Sequence, residues 1–140
     1  MMKKTILGLM ISLGLSVTLS ANELKQDMGV LASDIYELQV GFLTNDKSAA
    51  LTAVDKLKGH VKQYLGDKYT VTKLLPAHLK YKSSIAVNSA TLIEKNANEI
   101  EKVLNDRDMR MINKQMRSQK AFLEIQNQCF RCHNLVRDWQ

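Results

Sequence analysis

Proline is nearly missing from this chain. Pro76 is the only one in 140 residues, and two of the six glycines fall within the first 14 positions. With so few helix breakers, long helices are the expectation. Apolar–polar alternation of the strand type is missing throughout, as are internal repeats and low-complexity segments, which leaves an all-α chain. Aromatics make up only 6% of residues, and the net charge of +6 is scattered along the chain. No dense basic cluster interleaves with aromatics, so nucleic acid is not an expected partner. No acid–base pair or activated nucleophile stands out either, and the chain does not read as an enzyme. Cysteine is scarce too: there are two, both within the last twelve residues.

What is present begins with "MMKKTILGLMISLGLSVTLSANE". Two lysines precede a mostly apolar run, and small residues follow at Ser20 and Ala21. That is the order of a secretory signal peptide, with cleavage expected after Ala21. The run is short for a membrane span and is diluted by Ser12, Ser16 and Thr18. No cysteine follows it, which argues against a lipid anchor. Residues 1–21 are therefore expected to be a signal peptide for export to the periplasm, with no stable membrane insertion after its removal. Residues 22–140 would form one domain, and the loss of Lys3 and Lys4 lowers its net charge to +4. An exported chain meets an oxidising compartment, yet a bridge between Cys129 and Cys132 would close a very short loop and stabilise little.

Four helices are expected. The first, over 22–43, carries Leu24, Met28, Leu31, Ile35, Leu38 and Phe42 in alternating steps of four and three. The second, over 47–65, presents Leu51, Val54, Leu57, Val61 and Leu65, with Gly66 as a stop. Residues 67–76 lack a clear helical period and read as a loop packed on the core. A third helix over 77–104 has a weaker stripe, from Ile85 to Val103. A fourth over 107–139 has Met109, Ile112, Met116, Leu123 and Phe130 as its expected buried side and Asp106 as its expected N-cap. Short connections between four helices predict an antiparallel up-down-up-down bundle.

The chain ends "CFRCHNLVRDWQ". Cys129 and Cys132 bracket two residues and His133 follows at once. Three chemistries use such a pair. A redox disulfide of the thioredoxin kind sits at a helix N-terminus, whereas this pair lies near the end of a long helix, where the dipole has the wrong sign. Zinc wants four ligands, and the chain offers two cysteines and His60, His78 and His133. A c-type haem needs only what is there: two thiols for thioether links and an adjacent imidazole as proximal iron ligand.

A second axial ligand would come from a neighbouring helix. If the first and last helices are adjacent, Met28 lies about 9 Å into one and His133 about 10 Å from the end of the other, by 1.5 Å rise per residue. They would meet at similar depth, with Met28 on the buried stripe. The alternative is that Met28 is an ordinary core methionine, as Met109, Met111 and Met116 are expected to be. His60 and His78 read as solvated.

A helical bundle with C-x-x-C-H on its last helix resembles the cytochrome c-prime family of bacterial periplasmic haem proteins. The stretch "ANELKQDMGVLASDI" is similar to the first helix of its low-spin members. The resemblance implies one covalently bound haem c held by Cys129 and Cys132, with His133 as proximal and Met28 as distal iron ligand. Arg137 matches a basic residue often seen one turn after the histidine, where it would approach a haem propionate; a solvated arginine near a helix terminus is the equal alternative. The implied function is one-electron transport with periplasmic redox proteins as partners. Other members leave the distal site open and bind nitric oxide or carbon monoxide, which is the competing function. A haem-free helical interaction protein is the second competitor. Family members are often dimers through their first two helices, so a homodimer is among the implied assemblies.

Overall fold

A computed structural model describes the backbone of residues 15–136 and the side chains from residue 22 onward. Arg137 and most of the expected signal peptide lie outside these residues. The described chain is all-α. Helix α1 runs Leu15–Leu43, α2 Lys47–Leu65, α3 Lys68–Leu74, α4 Ser83–Asn105 and α5 Met111–Val136, with a 3-10 helix at Ala77–Lys82 between α3 and α4. Helix α1 thus extends back through the expected cleavage position at Ala21.

Local chemistry sets the breaks. Asn45 adopts a left-handed backbone (φ 53°), a conformation asparagine tolerates better than most residues. Asp46 then caps α2, its carboxylate accepting from the Ala49 N–H at 2.9 Å. At the other end of α2 the Gly66 N–H donates to the Lys62 carbonyl. The expected loop over 67–76 is instead largely helical. Asp67 starts α3 by accepting from both the Thr70 N–H (2.9 Å) and the Thr70 hydroxyl (2.6 Å). This segment does pack on the core, through Val71 and Leu75. Pro76 precedes the 3-10 turn rather than opening a long helix. Asp106, expected to cap the fourth helix, ends α4 and folds the next turn, accepting from the Asp108 and Met109 N–H groups. Helix α5 accordingly starts at Met111, four residues later than expected.

Helix α1 packs on α2, α2 on α4, and α4 on α5. The core is built around Leu38, Leu57, Ile100 and Ile125, all essentially inaccessible. Small residues let the helices approach: Ala86, Ala90 and Ala97 on α4, and Ser118 and Ala121 on α5, are buried. The Ser118 hydroxyl is satisfied within its own helix by the Lys114 carbonyl, at 2.6 Å.

The expected face of α5 is wrong. Ile112, Met116, Leu123 and Phe130 are exposed, and so is Met111. The inward row is Ser118, Phe122, Ile125, Cys129, Cys132 and Val136, of which the cysteines are partly buried. Its steps of four and three are as regular as those of α1. It was obscured because small and sulfur-bearing residues occupy it while larger apolar ones lie outside.

Candidate functional site

Helices α1 and α5 meet at one end of the molecule. The Phe42 and Phe122 rings pack with centroids 5.6 Å apart and planes tilted by 59°, a favourable tilted aromatic contact. Toward the other end, where Met28 and His133 lie, the two helices instead line a cleft.

That cleft is mostly apolar and about 220 Å³ in volume. Its α1 wall is Met28, Leu31, Ala32 and Ile35; Leu57, Val61 and Leu65 of α2 and Ile93 of α4 form its floor. On the α5 side stand Cys129, Cys132, His133 and Phe130. Each sits there for a local reason. Cys129 and Cys132 continue the inward row of α5, His133 follows by one position, and Met28 lies on the inward stripe of α1. Four of the five residues singled out from the sequence are thus gathered on one cleft; the fifth, Arg137, lies outside the described residues.

Burial pushes the Cys129 thiol above its ordinary pKa. The Cys132 thiol is pushed up to about 11, by burial first and by the nearby Cys129 second. Thiols so shifted remain protonated at neutral pH, the reverse of what an attacking thiolate needs. A thioredoxin-like role is therefore disfavoured by environment as well as by helix position. Among the described residues no group of three or more His, Cys, Asp and Glu side chains could hold a metal ion, so the zinc alternative gains no further ligand there.

His60 and His78 do not line the cleft. His78 is exposed on the 3-10 helix. The expectation that His60 is simply solvated is corrected: its Nδ1 lies 2.7 Å from Asp34 Oδ2, and its ring stacks on Tyr64 at 5.7 Å. Asp34 is almost fully buried. A signal for this existed, because Asp34 falls three residues after Leu31 and four before Leu38, on the inward face of α1.

A larger depression of about 510 Å³ lies between α2 and α4, lined by Asp55, Lys56, Glu101 and Asn105 among others. It is an open groove of mixed charge whose lining holds no cysteine or histidine.

The donor set of the apolar cleft (two thiols, an imidazole and a thioether) suits a covalently tethered haem with two axial ligands. At 220 Å³ the cleft is smaller than the ~300–1,000 Å³ usual for ligand pockets. No protein-family model, no curated protein and no solved structure matches the chain. Among the described residues no helix is long and apolar enough to cross a membrane.

Proposed function

We propose that this chain is a periplasmic monohaem c-type cytochrome that carries single electrons, built as an antiparallel up-down-up-down four-helix bundle of the cytochrome c-prime type. The observation that carries this reading is the convergence of Cys129, Cys132, His133 and Met28 on one apolar cleft. Cys129 and Cys132 would tether haem c through thioethers, His133 would supply the proximal imidazole, and Met28 the distal thioether. When bound, the group supplies one-electron chemistry whose potential is raised by a methionine ligand relative to a second imidazole.

The chain's own residues do the rest. The apolar walls exclude water and lower the local dielectric. Leu57 and Val61 underpin the floor, and the inward row of α5 fixes the spacing of the two thiols. Met28 and His133 line the same cleft; if both held the iron of the bound group, exchange of external ligands would be disfavoured, which supports electron transport over gas binding. Periplasmic redox proteins are the corresponding partners, following export by residues 1–21.

The deciding experiment is expression in a host with a cytochrome c maturation system, followed by denaturation and acid–organic extraction. The expected result is haem that stays with the polypeptide, with one haem in the intact mass and none in Cys129→Ala, Cys132→Ala. Haem that extracts freely, or a mass without the adduct, would leave a helical interaction protein as the better reading. Rapid carbon monoxide uptake by reduced protein would favour the gas-binding function.

A further inference from the structure

Cations look scattered along the sequence, but the charge imbalance has one centre, in the connection between α2 and α4. Residues 68–82 hold Lys68, Lys73, Lys80 and Lys82 and neither an Asp nor a Glu. Without Lys3 and Lys4, eighteen Lys and Arg stand against fourteen Asp and Glu, and setting these four lysines aside makes the two numbers equal. The excess of +4 in residues 22–140 is therefore the charge of this one stretch. Elsewhere cations meet carboxylates, as in Lys56–Glu37, Lys58–Glu101 and Arg117–Glu99. Among the described residues no carboxylate pairs with the four lysines, and the neighbouring Asp67 is turned onto Thr70. Lys73 Nζ lies instead over the Tyr69 ring, 4.2 Å from its centroid, and Lys82 Nζ lies 5.7 Å from that of Tyr81. A ring face holds an ammonium without neutralising it. Both rings face outward, Tyr69 69% and Tyr81 77% exposed. This face stands beside the apolar cleft. Leu65 ends α2 and lines the cleft, and α3 begins three residues later. Helix α4 opens at Ser83 and returns to the cleft through Ser89 and Ile93. Helix α3 packs on α1, α2 and α4, and the 3-10 helix on α4 and α5.

We propose that residues 68–82 are the docking surface for a partner protein that presents a cluster of carboxylates. A merely solvating face mixes both signs of charge, as the rest of this chain does; a stretch of one sign makes a field that steers an oppositely charged partner. Exposed tyrosine beside lysine suits a protein interface, where tyrosine is enriched. A bilayer is the less fitting anionic surface. A segment that lies in a membrane interface turns its apolar side chains outward, whereas Val71, Leu75 and Leu79 are buried in the core here. That the partner is a redox protein rests on the cytochrome reading; the surface and the sign of its partner do not.

The test is a titration of the full chain, as isolated from the maturation host, with a glutamate-rich peptide followed by amide NMR. Shifts should concentrate in residues 68–82, and binding should weaken steeply with added salt. Lys73→Glu, Lys80→Glu should raise Kd by about tenfold or more at low salt. Lys95→Glu, Lys120→Glu makes the same change in net charge at exposed positions on α4 and α5, and should leave Kd within about twofold. All four side chains are exposed, so neither variant should shift the melting curve by much. Shifts spread over the whole surface, or equal losses in the two variants, would reduce the binding to net charge and overturn the proposal. Vesicles of about one-third phosphatidylglycerol that bind through the same lysines more tightly than the peptide would also overturn it, making the face a membrane contact. Localised peptide binding by a chain that carries no haem would keep the docking surface and remove the redox identity of its partner.

Discussion

His60 Nδ1 and Asp34 Oδ2 lie 2.7 Å apart, joining α2 to α1 through a carboxylate that is 3% exposed. A buried carboxylate is costly unless it is hydrogen-bonded, and His60 supplies that bond. Asp34→Ala should destabilise the protein by about 1–3 kcal/mol, because it leaves the His60 ring without this acceptor and opens space at the helix crossing. Asp34→Asn keeps an acceptor oxygen and should cost less. Urea unfolding of the three proteins tests this. An Asp34→Ala variant as stable as the parent would mean that the pair contributes nothing net.

The same crossing depends on Gly41. A Cβ there would lie 2.8 Å from the Ala50 backbone nitrogen and 2.9 Å from its Cα. Backbone cannot swing aside as a side chain can, so Gly41→Ala should push α1 from α2 and cost about 1–3 kcal/mol. Gly29 and Gly59 have nothing within 4 Å of the same position. Both lie within helices, so alanine there should stabilise by about 0.5–1 kcal/mol. Thermal melts of the three variants should therefore move in opposite directions. A Gly41→Ala protein that melts with Gly29→Ala would refute the close approach.

Much of this was legible in the sequence where one periodic signal stood alone. The stripe of α1 from Leu24 to Phe42, the stop at Gly66 and the grouping of the cysteines with His133 needed only spacing. Helix α5 misled because two rows compete on it. Its outer row holds the larger apolar side chains, while its inner row includes Ser118, Ala121 and both cysteines, which any size-weighted reading passes over. Helix α3 was hidden by its shortness: seven residues give no full repeat, and its start is a local event in which Asp67 accepts twice from Thr70. The His60–Asp34 pair was out of reach because it joins two helices, although Asp34's place on the inward stripe pointed toward it.

Asp67 gives a pH prediction with a definite sign. The Thr70 hydroxyl first, and the Thr70 N–H second, hold its carboxyl below the usual value of 3.8. The folded pKa is thus lower than the unfolded one. Asp67's contribution is present above the unfolded value and is lost as pH falls through the folded one. Amide exchange in α3 should accelerate below about pH 4 relative to α2. Asp67→Asn keeps an N-cap oxygen but cannot titrate, so it should abolish this acid sensitivity while preserving the helix. Equal acid sensitivity in Asp67→Asn would assign the effect to another group.

The choice between electron carrier and gas binder rests on Met28. Its thioether lies on the same cleft as His133, and it packs against the core while remaining partly accessible. If Met28 is the distal ligand, oxidised haem-loaded protein should be low-spin with a weak far-red sulfur-to-iron band, and reduced protein should take up carbon monoxide slowly. Met28→Ala should abolish the band, lower the reduction potential and speed carbon monoxide uptake, since the thioether that favours ferrous iron is gone. Met116→Leu is the control. Met116 is exposed on the outer row of α5, so its replacement should leave spectrum, potential and uptake unchanged. The two variants together separate loss of a ligand from general loosening of the fold. A Met28→Ala protein that stays low-spin would assign the sixth position elsewhere. His60, held at Asp34, and His78, exposed on the 3-10 helix, would then be the next two residues to replace. A parent protein already high-spin and quick to bind carbon monoxide would instead make gas binding the function of the cleft.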